Sequence, residues 1–174
     1  MTGKEFINAI ANGETDIIQA LLDILKQTDS LYCLVGGLAV NAYVEPVVSL
    51  DLDVVIATQH VELICDKALA QGFKVERFPH SINLSSAKSE LRIQLQTDAR
   101  YQEFISRATK KNILGYDMQV AHIEDVVSGK VWAYQDETRR KSKRQKDLAD
   151  IIRLVEEYPA LIEKLPDSIQ KLVE

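Results

Sequence analysis

Asp51 and Asp53 are one residue apart in SLDLDVVI, where the chain turns apolar and β-branched. Residues i and i+2 of a strand point to the same face, so the spacing places the two carboxylates side by side. Leu50, Leu52 and Val54 then face the core. Adjacent carboxylates repel each other, and a divalent cation relieves the repulsion. Mg²⁺ suits such oxygens when phosphate oxygens complete its shell. Upstream, the short apolar run LYCLV ends in Gly36-Gly37, with 14 residues between Gly36 and Asp51. A strand that breaks at glycines and enters a helix offers free backbone N–H groups. It also leaves room for a phosphate to approach without a Cβ in the way. A Gly-Gly pair alone is most often a tight turn, and an Asp-x-Asp alone is often an exposed strand end. Together they point to a nucleoside triphosphate and its metal.

The arrangement GGLAVNAY…SLDLDVVI resembles the nucleotidyltransferase signature. Its Gly-Gly-Leu-Ala form resembles the bacterial AbiEii/AbiGii-type toxin branch of that superfamily. The two motifs span Leu34 to Ile56, and with the C-terminal helices the resemblance extends over most of residues 31–156. It implies that Asp51 and Asp53 hold Mg²⁺ (or Mn²⁺), and that Gly36, Gly37 and Ser49 seat the phosphates. It also implies that Lys130 in SGKVWAY neutralises developing charge, and that Asp147 in KRQKDLADI completes the catalytic set. Periodicity bears on Lys130 separately. Ile123, Val126, Val127, Val131 and Tyr134 form an apolar stripe that contains it, so it either snorkels outward or reaches a cleft. The implied reaction is transfer of a nucleoside monophosphate from an NTP to an RNA or protein acceptor. The implied biology is a toxin of a toxin–antitoxin or phage-defence pair, with a cognate antitoxin as partner.

One departure qualifies the resemblance. Many nucleotidyltransferases carry a third carboxylate on a later strand. The matching strand, LRIQLQT, presents Arg92, Gln94 and Gln96 on its polar face, with Gln94 in the acid's place. A glutamine cannot accept a proton as a carboxylate does. The alternative is therefore a catalytically inactive nucleotide- or RNA-binding protein on the same fold.

These residues need a sheet to hold them. The patterns predict a helix over 16–27, strands over 31–35 and 50–57, and a short helix over 38–43. A helix follows over 60–72, then strands over 73–78 and 91–97, a short helix over 101–108 and a strand over 116–121. Two longer helical patterns and one or two short ones follow His122, with the basic stretch RRKSKRQK between the two longer patterns. The expected fold is α/β (α+β): a small mixed nucleotidyltransferase sheet with packed helices over 1–121, and a helical segment over 122–174 that completes the site.

Net charge is −5, which argues against wholesale coating of nucleic acid. Six of the 21 basic residues and none of the 26 acidic ones fall within 139–146. Such an island attracts phosphate locally, so Arg139, Arg140, Lys141, Lys143 and Arg144 are candidate acceptor or RNA contacts. Cys33 and Cys65 lie in apolar segments and read as buried free thiols of a cytoplasmic protein. Three scattered histidines offer no metal-ligand spacing. No apolar stretch approaches the ~18–20 residues of a membrane span, so no membrane partner is expected.

Overall fold

The computed structural model describes residues 1–174. Thr2 and Glu5 form a reciprocal capping box that starts α1 (Gly3–Ile10), and the Asp16 side chain caps α2 (Ile17–Gln27). Strand β1 (Tyr32–Val35) runs directly into α3 (Gly36–Val40), so this helix begins on the glycines themselves rather than after them. Next come β2 (Asp51–Ile56), α4 (Val61–Ala70), β3 (Lys74–Arg77), β4 (Ser81–Ser86) and β5 (Ser89–Gln96). A short α5 (Phe104–Arg107) leads to β6 (Thr109–Ile113) and β7 (Tyr116–Val120). The chain closes with α6 (Ile123–Gln135), α7 (Lys141–Glu157) and α8 (Asp167–Val173).

The seven strands form one mixed sheet in the order β3-β4-β5-β2-β1-β7-β6. The central pairs β2–β5 and β1–β7 are parallel, and β1–β2 is antiparallel. Cys33, Leu34, Val35, Val54, Val55 and Ile56 are all buried, so β1 and the end of β2 are covered on both faces. That explains their unbroken apolar, β-branched composition. A single cluster of 43 buried residues joins these strands to Val126, Val127 and Val131 of α6 and to Ile151, Leu154 and Val155 of α7. The core therefore runs across the 121/122 boundary.

Three elements depart from the sequence expectations. Strand β4 has only Ile82 and Leu84 as its buried apolar pair among serines and an asparagine. Edge strand β6 is largely polar. Helix α1 precedes the first expected helix. The basic stretch is the entry to a helix: α7 begins at Lys141, within it.

Candidate active site

Register lays out the site. Val35 pairs with Asp53, Asp53 with Gln94, and Gln94 with Asn83, forming one row across β1, β2, β5 and β4. Gln94 thus stands directly beside Asp53, in the place expected for a third acid. Asp51 pairs with Arg92 in the adjacent row. Leu52 and Val54 are buried on the opposite side, as the alternation requires.

Gly36 has a backbone reason to be glycine. Its φ is +72°, and a Cβ there would lie 2.3 Å from Asp53 Oδ2. The turn is therefore shaped around the aspartate, and the five-residue α3 behind it adds only a small dipole. A Cβ on Gly37 would meet Ser49 Oγ at 3.7 Å and Asp150 Oδ2 at 4.0 Å, which is ordinary contact. The Ser49 hydroxyl is engaged with the Asp51 backbone, 3.3 Å from its N–H and 3.4 Å from its carbonyl, and so fixes the entry to β2. Gly36→Ala is expected to destabilise the fold and displace the Asp53 carboxylate, whereas Gly37→Ala is expected to fold normally. Thermal melts and a Mn²⁺ titration of both variants check this.

The two aspartates differ electrostatically. Arg92 Nε lies 2.7 Å from Asp51 Oδ1, and Lys143 Nζ lies 2.9 Å from Oδ2. Burial pushes the Asp51 carboxyl up, but Lys143 and Arg92 outweigh it and hold the group below the ordinary carboxylate value. No side chain donates to Asp53. Burial pushes its carboxyl up to about 6; the Lys130 charge works against the rise and Asp51 adds to it. This donor set fits a divalent cation: two carboxylates side by side, one of them half-buried with no partner of its own.

Lys130 does not snorkel. It turns inward from α6, its side chain 7% exposed, with Nζ 3.0 Å from Asp147 Oδ1 and 2.7 Å from Asp150 Oδ2. Those two side chains are 2% and 5% exposed. Arg139 Nε holds Asp147 Oδ2 at 2.7 Å, and Arg153 holds Asp150 Oδ1 at 2.8 Å. Burial pulls the Lys130 ammonium down, but the two carboxylates more than compensate and its pKa ends above the ordinary lysine value. Asp150 was not anticipated. Its signal was position: three residues after Asp147, it shares that residue's face of α7.

Lys130, Asp147, Asp53 and Gly36 line one cavity of 80 Å³. A second of 360 Å³ opens toward Asp51, Arg92 and Lys143, and a third of 590 Å³ toward Arg100, Tyr101 and Trp132. Gln94 and Arg139 line all three, so the three adjoin around one cleft, and Asp53 lines two of them. The largest cavity, 700 Å³, lies elsewhere, beside Asp23, Lys26 and Lys110, and the Asp51–Asp53 pair does not reach it.

The basic stretch divides in two. Arg139 and Lys143 face the cleft through Asp147 and Asp51, and Arg144 Nε donates to the Tyr134 carbonyl at 2.6 Å. Arg140, Lys141 and Lys146 are exposed, with no ion pair inside the chain.

No protein-family model matches the chain, and no curated protein matches it in sequence. Solved structures do match in shape. ANT(2″)-Ia, solved with adenylyl-2″-tobramycin, aligns over 90% of this chain and 94% of its own at 15% identity, with a TM-score of 0.62. The lincosamide antibiotic adenylyltransferase LnuA, solved with lincomycin, aligns over 82% and 98% at 13% identity, TM-score 0.57. An antigenic nucleotidyltransferase-like protein from Paracoccidioides brasiliensis aligns over 95% and 92% at 19% identity, TM-score 0.50. With its paired aspartates on the second strand of a mixed sheet, the chain has the nucleotidyltransferase fold.

Proposed function

We propose that this protein transfers a nucleoside monophosphate from an NTP to an acceptor, in the cleft that Asp53 lines. The observation that carries the reading is the convergence of Asp51, the unpartnered Asp53 and the buried Lys130 on that cleft. Asp51 and Asp53 would hold Mg²⁺ or Mn²⁺, which supplies charge neutralisation to a triphosphate and its leaving pyrophosphate. Lys130 presents a fixed positive charge to the same cavity, in a setting that needs no reorganisation during reaction. Asp147, with one oxygen on Lys130 and the other on Arg139, orients both cations. Gly36 leaves the space in which the Asp53 carboxylate sits, and Ser49 anchors the strand that carries both aspartates.

The exposed Arg140, Lys141 and Lys146, chain neighbours of the cleft residues Arg139, Lys143 and Asp147, favour RNA as the acceptor. Changing the exposed three to glutamine is expected to weaken RNA binding and flatten its salt dependence by about three units of log–log slope, leaving nucleotide affinity unchanged. Equal loss of both would place the three cations on the triphosphate instead. The Gly-Gly-Leu-Ala turn supports a toxin of a toxin–antitoxin or phage-defence pair, in which a cognate antitoxin would be the protein partner.

Gln94 beside Asp53 favours a second reading, a nucleotide- or RNA-binding protein without turnover. Pyrophosphate release separates the two. Incubation with each of the four NTPs, Mg²⁺ and total RNA should release pyrophosphate above an Asp51→Asn control. Metal-dependent nucleotide binding without release would establish the second reading. Neither binding nor release, in the presence of RNA, would overturn both.

A further inference from the structure

Two kinds of cation surround the aspartates. Lys130 is buried and fixed between two carboxylates. Arg92 and Lys143 differ: their side chains are 65% and 35% exposed, and each makes its ion pair to Asp51 at the rim of the 360 Å³ cavity. They approach from different elements, Arg92 from the neighbouring strand and Lys143 from the first turn of α7. Between them they occupy both oxygens of Asp51. Ion pairs that are partly open to water, as both of these are, are weakened by solvent and exchange more readily than buried ones.

The start of α7 is itself unbalanced. Lys141, Lys143 and Arg144 stand at the positive end of the helix dipole, and no side chain caps it. Asp51 is the only anion that the fold supplies to Lys143. A polyphosphate suits these cations better: it offers several oxygens, and an arginine fork and an ammonium are both standard phosphate donors.

We propose that Arg92 and Lys143 are polyphosphate ligands that, in the free protein, stand in for the divalent cation on Asp51. This rests on the metal–nucleotide reading above. When metal and nucleotide arrive together, the metal takes the Asp51 oxygens and the two side chains pass to the phosphates. Metal alone must displace both cations without giving them a new partner. Metal and nucleotide therefore bind cooperatively, and metal alone binds weakly.

Mn²⁺ is the probe, followed by the EPR signal of the free ion, with the α,β-methylene analogues of the four NTPs. Both side chains are at the surface, so Lys143→Met and Arg92→Gln should fold. In each variant Mn²⁺ alone should bind about fivefold tighter, because a competing cation is gone. The analogue, with Mn²⁺ present, should bind about tenfold weaker, because a phosphate donor is gone. Lys143→Arg should restore most of the analogue affinity. Unchanged or weaker Mn²⁺ binding in both variants, with Mn²⁺ still dependent on Asp51, would overturn this inference alone. Unchanged analogue affinity would do the same. Mn²⁺ binding that survives Asp51→Asn would overturn the metal site, and this inference with it.

Discussion

Asp53→Asn is expected to abolish transfer and, at the same time, to raise the melting temperature. Loss of a metal-holding carboxylate removes several kcal/mol of charge stabilisation in the transition state, or about 10³-fold in rate. Stability moves the other way because the folded protein strains to keep Asp53 ionised. Burial pushes its carboxyl up to about 6, Lys130 only partly opposes this, and Asp51 adds to it. The folded value thus lies above the unfolded one, so the folded state binds the proton more tightly. The cost of ionised Asp53 is absent below the unfolded value, grows as pH rises from there to about 6, and is complete above it. At neutral pH this cost is on the order of 2 kcal/mol. An asparagine removes it, which for a domain of this size is a gain of about 4–8 °C. At pH 5 the gain should shrink, since the wild-type group is then mostly protonated. Asp51→Asn should have the opposite sign. Burial raises that carboxyl, but Lys143 and Arg92 bring it below its ordinary value. Its ionised form therefore adds stability above the unfolded pKa, and this is lost as pH falls through the folded one. Both variants should be inactive, yet one should melt higher and the other slightly lower. Pyrophosphate release and thermal melts at pH 7.5 and pH 5 read all four quantities. A melting temperature for Asp53→Asn below wild type at pH 7.5 would remove the electrostatic account of the site.

The parts of the site that follow local rules were legible in the sequence. Asp51 and Asp53 sit where a period of two places them, and β1 and β2 were marked by apolar runs, the second of them β-branched. Alternation put Gln94 on the polar face of LRIQLQT, the resemblance put it in the third acid's place, and the register sets it beside Asp53. What escaped depended on partners far along the chain. Strand β4 pairs on both sides through its backbone, and its two buried residues were too few to signal a strand. The regular pattern of α7 was placed a few residues late because its start breaks the usual rule: basic residues occupy the positive end of the helix, without a cap. Part of the compensation is Asp51, and no local pattern reveals a partner 92 residues away. The glycine turn was read for a phosphate. Its firm geometric requirement is the Asp53 carboxylate packed against Gly36, which only the β1–β2 register brings there.

Lys130→Met is expected to be the most destabilising single change at the site. The substitution keeps much of the side-chain volume but leaves Asp147 and Asp150 buried with one cation each, Arg139 and Arg153. Breaking a buried ion-pair network by removing one partner costs about 3–5 kcal/mol, a large share of the ~5–15 kcal/mol that holds a domain together. The melting temperature should fall by about 10 °C. The pH sign follows from Lys130 itself: burial lowers its pKa, but the two aspartates raise it by more. Its contribution is therefore complete below the free-lysine value and is lost only in alkali, as pH rises through the raised one. The defect should persist throughout the neutral range. A triple variant, Lys130→Met with Asp147→Asn and Asp150→Asn, tests whether the lysine does more than balance charge. Removing the lysine and both carboxylates leaves no buried carboxylate unpaired, and the Arg139 and Arg153 guanidiniums that lose a partner are open enough to be hydrated, so most of the stability should return. Transfer should not return, because the cavity it shares with Asp53 has lost its fixed positive charge. Denaturant unfolding paired with pyrophosphate release measures both. A triple variant that regains stability and transfer together would make Lys130 a structural residue, and the charge facing the triphosphate would then have to come from Arg92, Arg139 and Lys143.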